Sequence, residues 1–85
     1  MILFNVVDEQ RIVNVGVGST NSATVACPPG TTRTGGGAWT AQGDIKIRSS
    51  GPISTNSWYA AARNDPPFDG GTLAVQILCA SVVLR

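Results

Sequence analysis

Apolar and polar residues alternate along most of this chain with a period of two, the pattern of strands that bury one face. From Arg11 to Val17, the side chains of Val13, Val15 and Val17 fall on one side. Ala23, Val25 and Cys27 share a face of the next segment, with Ser22, Thr24 and Ala26 opposite. Between Asp44 and Ser49, Ile45 and Ile47 oppose Lys46 and Arg48. The last segment sets Leu73, Val75, Ile77 and Cys79 against Ala74, Gln76, Leu78 and Ala80. Being largely apolar on both sides, it belongs at the centre of a sheet or against another subunit. The one arguable helix, Trp58 to Arg63, is too short to stand as an isolated helix.

Turn formers punctuate these segments. Pro28-Pro29-Gly30, Ser50-Gly51-Pro52 and the run from Asp65 to Gly71 are the strongest. Strands centred near residues 4, 14, 25, 36, 47, 60 and 77 follow. That spacing predicts a single all-β domain over residues 1–85: a small antiparallel sandwich or barrel, jelly-roll-like, of about seven strands. No internal repeat or linker interrupts it.

Composition narrows the function. Charged residues are 13% of the 85, about half the usual share of ~25%. A net charge of +1 supplies no attraction to nucleic acid or to an anionic membrane, so neither is expected as a partner. Despite 10 glycines and 5 prolines, the apolar fraction of 42% sets the chain apart from disordered segments. The apolar-rich run from Thr72 to Leu84 is too short for a membrane-spanning helix. Met1 to Val7 lacks a basic leader and is broken by Asp8 and Glu9, so it does not read as a secretory signal. Sparse charge and apolar ends, Ile2 to Val7 and Val82 to Leu84, instead point to surfaces covered in an assembly.

Candidate chemistry is thin. The chain has no histidine, which excludes Ser-His-Asp and Cys-His mechanisms. Asp8 and Glu9 are adjacent and point to opposite faces of a strand. Asp65 and Asp69 could converge as a glycosidase pair, but beside prolines and glycines they read as turn formers. Lys46 reads as a solvated strand residue. Gly35-Gly36-Gly37 is followed by Ala38-Trp39-Thr40 and no helix, so a bend in a sheet suits it better than a phosphate loop. Two cysteines cannot build a structural zinc site alone, and Asn64, Asp65 and Asp69 are the one oxygen set that could meet calcium. The reading is a protein without catalytic residues, metal or cofactor.

Cys27 and Cys79 both fall in phase with apolar faces. They are either two buried thiols or a bridge closing a loop of about 50 residues, worth ~4 kcal/mol by chain entropy. Trp58 and Tyr59 are neighbours on a strand, so only one can face a core. An outward Trp39, Trp58, Tyr59 or Phe68 would offer a platform for a glycan or a protein partner.

The run Cys27-Pro28-Pro29-Gly30-Thr31, the three glycines, Trp58 to Asn64, and Leu73 to Ala80 with its alternating Val75, Ile77 and Cys79 resemble small β-domains of bacterial extracellular proteins and of phage fibre, tip or decoration proteins. The resemblance spans residues 23 to 80. It implies a Cys27–Cys79 pair and brings no catalytic residue with it. Virion proteins are made in the host cytoplasm and leave by lysis, which reconciles an extracellular-looking domain with the absent secretory signal. The expected function is therefore a non-enzymatic bacteriophage virion protein: a capsid decoration (cement) protein or a small fibre or tail subunit. Its partners would be other virion proteins and itself, as a homotrimer or other homo-oligomer. The alternative is an extracellular carbohydrate-binding or adhesion module that contacts host-surface glycan through exposed aromatics.

Overall fold

A computed structural model describes residues 2–42, 45–66 and 70–84, with side chains described between Asn5 and Ser81. Six strands follow one another: β1 (Ile2–Val15), β2 (Thr20–Ala26), β3 (Thr32–Ala41), β4 (Ile45–Ile53), β5 (Ser57–Asn64) and β6 (Gly71–Leu84). They form two antiparallel three-stranded sheets, ordered β1-β6-β3 and β2-β5-β4. The pairs β1 with β6 and β2 with β5 are nested, and the chain changes sheet at every connection except the β4–β5 hairpin. This is a jelly-roll-like sandwich of six strands.

Two of the expected strands, centred near residues 4 and 14, are one. β1 stays in register with β6 from Ile2 opposite Leu84 to Val15 opposite Gly71. The polar run Asp8-Glu9-Gln10 contains no glycine or proline, and it pairs with Leu78, Ile77 and Gln76 without a break. Polarity there marks an edge strand whose two faces both meet water at this point, and not a chain reversal.

Between the sheets lies a thin core. The first sheet contributes Val15, Leu73, Val75, Ile77 and Cys79, and the second contributes Ala23, Val25, Ala60 and Ala62. Small side chains facing larger ones let the two layers interlock. The alanines of β5, poor strand formers by propensity, are kept in extended form by pairing on both sides, with β2 and with β4. Asn64 is the one fully buried polar residue among those described. Its Nδ2 donates to the Val15 carbonyl at 3.0 Å, while its backbone N–H donates to Ser19 O and its carbonyl accepts from Gly18 N–H. The β1–β2 turn, in which Gly18 takes φ +74°, is thereby tied to the end of β5.

The molecule measures 56 × 21 × 14 Å, with a radius of gyration of 15.2 Å. A compact domain of this length would show about 12 Å. Much of the excess is at one end. β3 starts at Thr32, opposite Ala80, whereas β6 continues to Leu84 and β1 reaches back to Ile2. A two-stranded ribbon therefore overhangs the sandwich.

Candidate functional site

Near the base of that ribbon the two sheets are locked together. Cys27, just past the end of β2, is bonded to Cys79 of β6, so the bridge crosses between sheets. Of the two readings open from sequence, the disulfide is the one found. Beside it, Asn56 of the β4–β5 turn accepts the Arg33 N–H through Oδ1 at 3.1 Å and donates through Nδ2 to Thr31 O at 3.1 Å. Its own carbonyl accepts the Cys27 N–H at 2.8 Å. The Arg33 guanidinium donates to the carbonyls of Ser57 and Ser54, at 3.0 and 3.3 Å.

Trp58 and Tyr59 divide as strand alternation requires. Trp58 packs against the core, its Nε1 donating to Ser50 Oγ at 3.0 Å. Tyr59 lies on the outer face of the second sheet, between Thr24 and Gly51. Trp39 is on the outer face of the first sheet, 44% exposed. The outward aromatics thus sit on opposite sides of the sandwich and form no common platform. Phe68 lies outside the described residues, as do Asp44 and Asp69.

Asp65, weighed above as half of a carboxylate pair and read as a turn former, receives Arg63 Nε on Oδ1 at 2.9 Å and faces Lys46 Nζ from Oδ2 at 3.6 Å. The Asn64 side chain is turned into the core, away from any shared oxygen site with Asp65. A shallow cleft of about 180 Å³ by Gly16, Gly70 and Gly71 is lined by no titratable side chain among the described residues.

The most organised polar surface is the outer face of β1-β6-β3. Register places four rows across it: Ile12, Ala74 and Trp39; Gln10, Gln76 and Gly37; Asp8, Leu78 and Gly35; Val6, Ala80 and Thr32. A bulge between Arg33 and Gly35 sets this phase, with Thr34 Oγ1 donating to the Leu78 carbonyl. Gln76 Nε2 donates to Asp8 Oδ2 at 2.9 Å, and Gln10 Nε2 donates to the same oxygen at 3.4 Å. Asp8 is the one charged side chain in the four rows. Ile12, Val6, Trp39 and Leu78, four of the seven exposed large hydrophobics among the described residues, share this face, Leu78 directly beside Asp8 and the others toward its ends. Sequence reasoning missed Gln10 and Gln76 as a pair; the available signal was Gln76, a lone amide inside the most apolar strand.

Compared with protein-family models, curated proteins and solved structures, the chain matches none of them.

Proposed function

We propose that the protein is a non-enzymatic structural subunit of a bacteriophage virion, a capsid decoration protein or a small fibre or tail subunit, which works through contacts between subunits. The observation that carries this reading is the overhanging ribbon. Beyond Ala80, β6 has β1 as its one strand partner among the described residues. A two-stranded ribbon is marginal in water by itself, and its outer edges present unpaired N–H and C=O groups that template another strand. The residues concerned, Ile2, Leu3, Phe4, Val82, Val83 and Leu84, include no charge to discourage that pairing. A second copy adding its own ribbon edge turns each ribbon into part of a larger sheet. An interface of standard size, roughly 800 Å² per partner, closed by symmetry into a trimer or other ring, fits such a subunit. The disulfide supports service outside a reducing cell. Jelly rolls serve both capsids and lectins, so the ribbon and not the fold is what favours assembly.

Light scattering coupled to size exclusion tests this. The wild type is expected to run as a homo-oligomer at micromolar concentration. The double variant Leu3→Lys/Val83→Glu places opposite charges on facing positions of the ribbon, keeping the strand pair while removing its apolar character. It is expected to be monomeric with an unchanged circular dichroism spectrum. A monomeric wild type, or an oligomer indifferent to this change, would refute the assignment.

A further inference from the structure

We propose that the outer face of the β1-β6-β3 sheet is a binding site for a neutral oligosaccharide, stacked on Trp39 and held by Gln76, Asp8 and Gln10. Three consecutive glycines in a strand need an explanation, since each gives up side-chain packing and backbone entropy. Gly36 has an internal one: a Cβ there would collide with the Trp58 indole at 2.5 Å. Gly35 adjoins the bulge after Arg33, itself a usual place for glycine; Gly37 has neither reason. A Cβ at Gly35 or Gly37 would meet nothing within 4 Å, and both face outward beside Leu78 and Gln76. Glycine at such positions marks close approach by a ligand or by another backbone.

The groups around this gap select the ligand. Trp39 stands at the next position outward along β3, a flat amphipathic ring at the end of the trough. Asp8 and Gln76 are held to each other at 2.9 Å, which leaves Asp8 Oδ1 and the two glutamine carbonyls as oriented acceptors. Sugar rings match this arrangement, with C–H faces that stack on an indole and hydroxyl edges that donate to acceptors. Strand spacing puts the Trp39 and Asp8 backbones roughly 15 Å apart along the diagonal, a span for more than one ring. Because Asp8 is the single charge in the rows, the site repels phosphate and acidic sugars and favours neutral ones. A protein interface is ordinarily apolar at its centre and polar at its rim; here Gln10, Gln76 and Asp8 lie at the centre together with Leu78, while Ile12 and Trp39 lie toward one end of the face and Val6 toward the other. The site is distinct from the ribbon edge, so its test and the assembly test fail separately.

Glucose, mannose and N-acetylglucosamine oligomers should be titrated into the intact protein by calorimetry, with tryptophan fluorescence as a second readout. At least one series is expected to bind at submillimolar to millimolar concentration. Trp39→Ala and Gln76→Ala should each weaken binding by about tenfold or more. Gly37→Thr is the decisive variant, because it fills the trough with a residue favoured in strands. It should abolish binding while leaving the urea midpoint equal or higher. No binding by any series to the wild type overturns the proposal, and so does binding by Gly37→Thr within twofold of wild type. Sugar-independent self-association that Gly37→Thr removes would assign the gap to a second protein backbone and equally overturn it.

Discussion

The indole of Trp58 occupies the space in which a side chain at residue 36 would begin. A Cβ built on Gly36 would come within 2.5 and 2.7 Å of Trp58 carbons and within 2.7 Å of the Gln76 carbonyl oxygen. Two of these atoms belong to a ring anchored through Nε1 to Ser50, and the third is backbone, so neither can give way cheaply. Gly36→Ala is therefore expected to cost about 1–3 kcal/mol. Gly35→Ala and Gly37→Ala, with open space and ordinary backbone angles, should be neutral or stabilising by up to ~1 kcal/mol. Urea denaturation of the three variants side by side checks the contrast.

Alternation alone says that one of Trp58 and Tyr59 faces inward, but the choice rests on partners far away in sequence: Gly36 beneath the indole and Ser50 beside it. The inward phase of Cys27 and Cys79 was legible because each sits within its own alternating segment. Their pairing depends on β2 and β6 lying in facing sheets. The strand periods near residues 14, 25, 47 and 77 were likewise local and readable, whereas Trp58 to Arg63 shows no alternation and is held extended by its two neighbouring strands. What was not readable is whatever needs register. Asp8 and Gln76 are 68 residues apart, and no local pattern brings them together. The continuity of β1 through Asp8-Glu9-Gln10 depends in the same way on β6 running opposite for its full length.

Breaking the bridge should have a large effect. Cys27 and Cys79 are separated by 52 positions, so reduction restores to the unfolded chain entropy worth about 4 kcal/mol. A domain of this size has a total stability of roughly 4–13 kcal/mol, and the core is thin. Reduced protein, or Cys27→Ser/Cys79→Ser, is expected to melt roughly 15–30 °C below the oxidised form. Calorimetric melting with and without dithiothreitol measures it, and a shift under 5 °C would show that residual structure or strain cancels the constraint.

Asn64 offers a pH-dependent test. Its fully buried amide donates to the Val15 carbonyl, so Asn64→Ala should cost about 1–3 kcal/mol. Asn64→Asp replaces the donor with an acceptor that, when ionised, faces a carbonyl in an apolar surrounding. Burial then raises the folded-state pKa of the new carboxyl above its unfolded value. The folded state binds the proton more tightly, so the penalty is full at neutral pH and shrinks as pH falls through the raised pKa. Urea midpoints of Asn64→Asp and wild type should converge on acidification; a gap independent of pH would mean the amide's shape and not its donor is what matters.

The last comparison sets a hydrogen-bonded clamp against an exposed ion pair. Asn56 joins the β4–β5 turn to the start of β3 and to the cysteine end of β2. Removing its side chain leaves the Arg33 N–H and Thr31 carbonyl without their partner in a half-buried place. Asn56→Ala should accordingly cost about 1–3 kcal/mol. Asp65 pairs with Arg63 and Lys46 at the surface, where the Lys46 side chain is 69% exposed. Water and salt screen that contact, so Asp65→Asn should cost no more than ~1 kcal/mol, falling further in high salt. Chemical denaturation of both variants at low and high ionic strength decides the order. If Asp65→Asn proved the more damaging, the charged contact that joins β4 and β5 at the far end of the second sheet would outweigh the hydrogen-bonded clamp at Asn56.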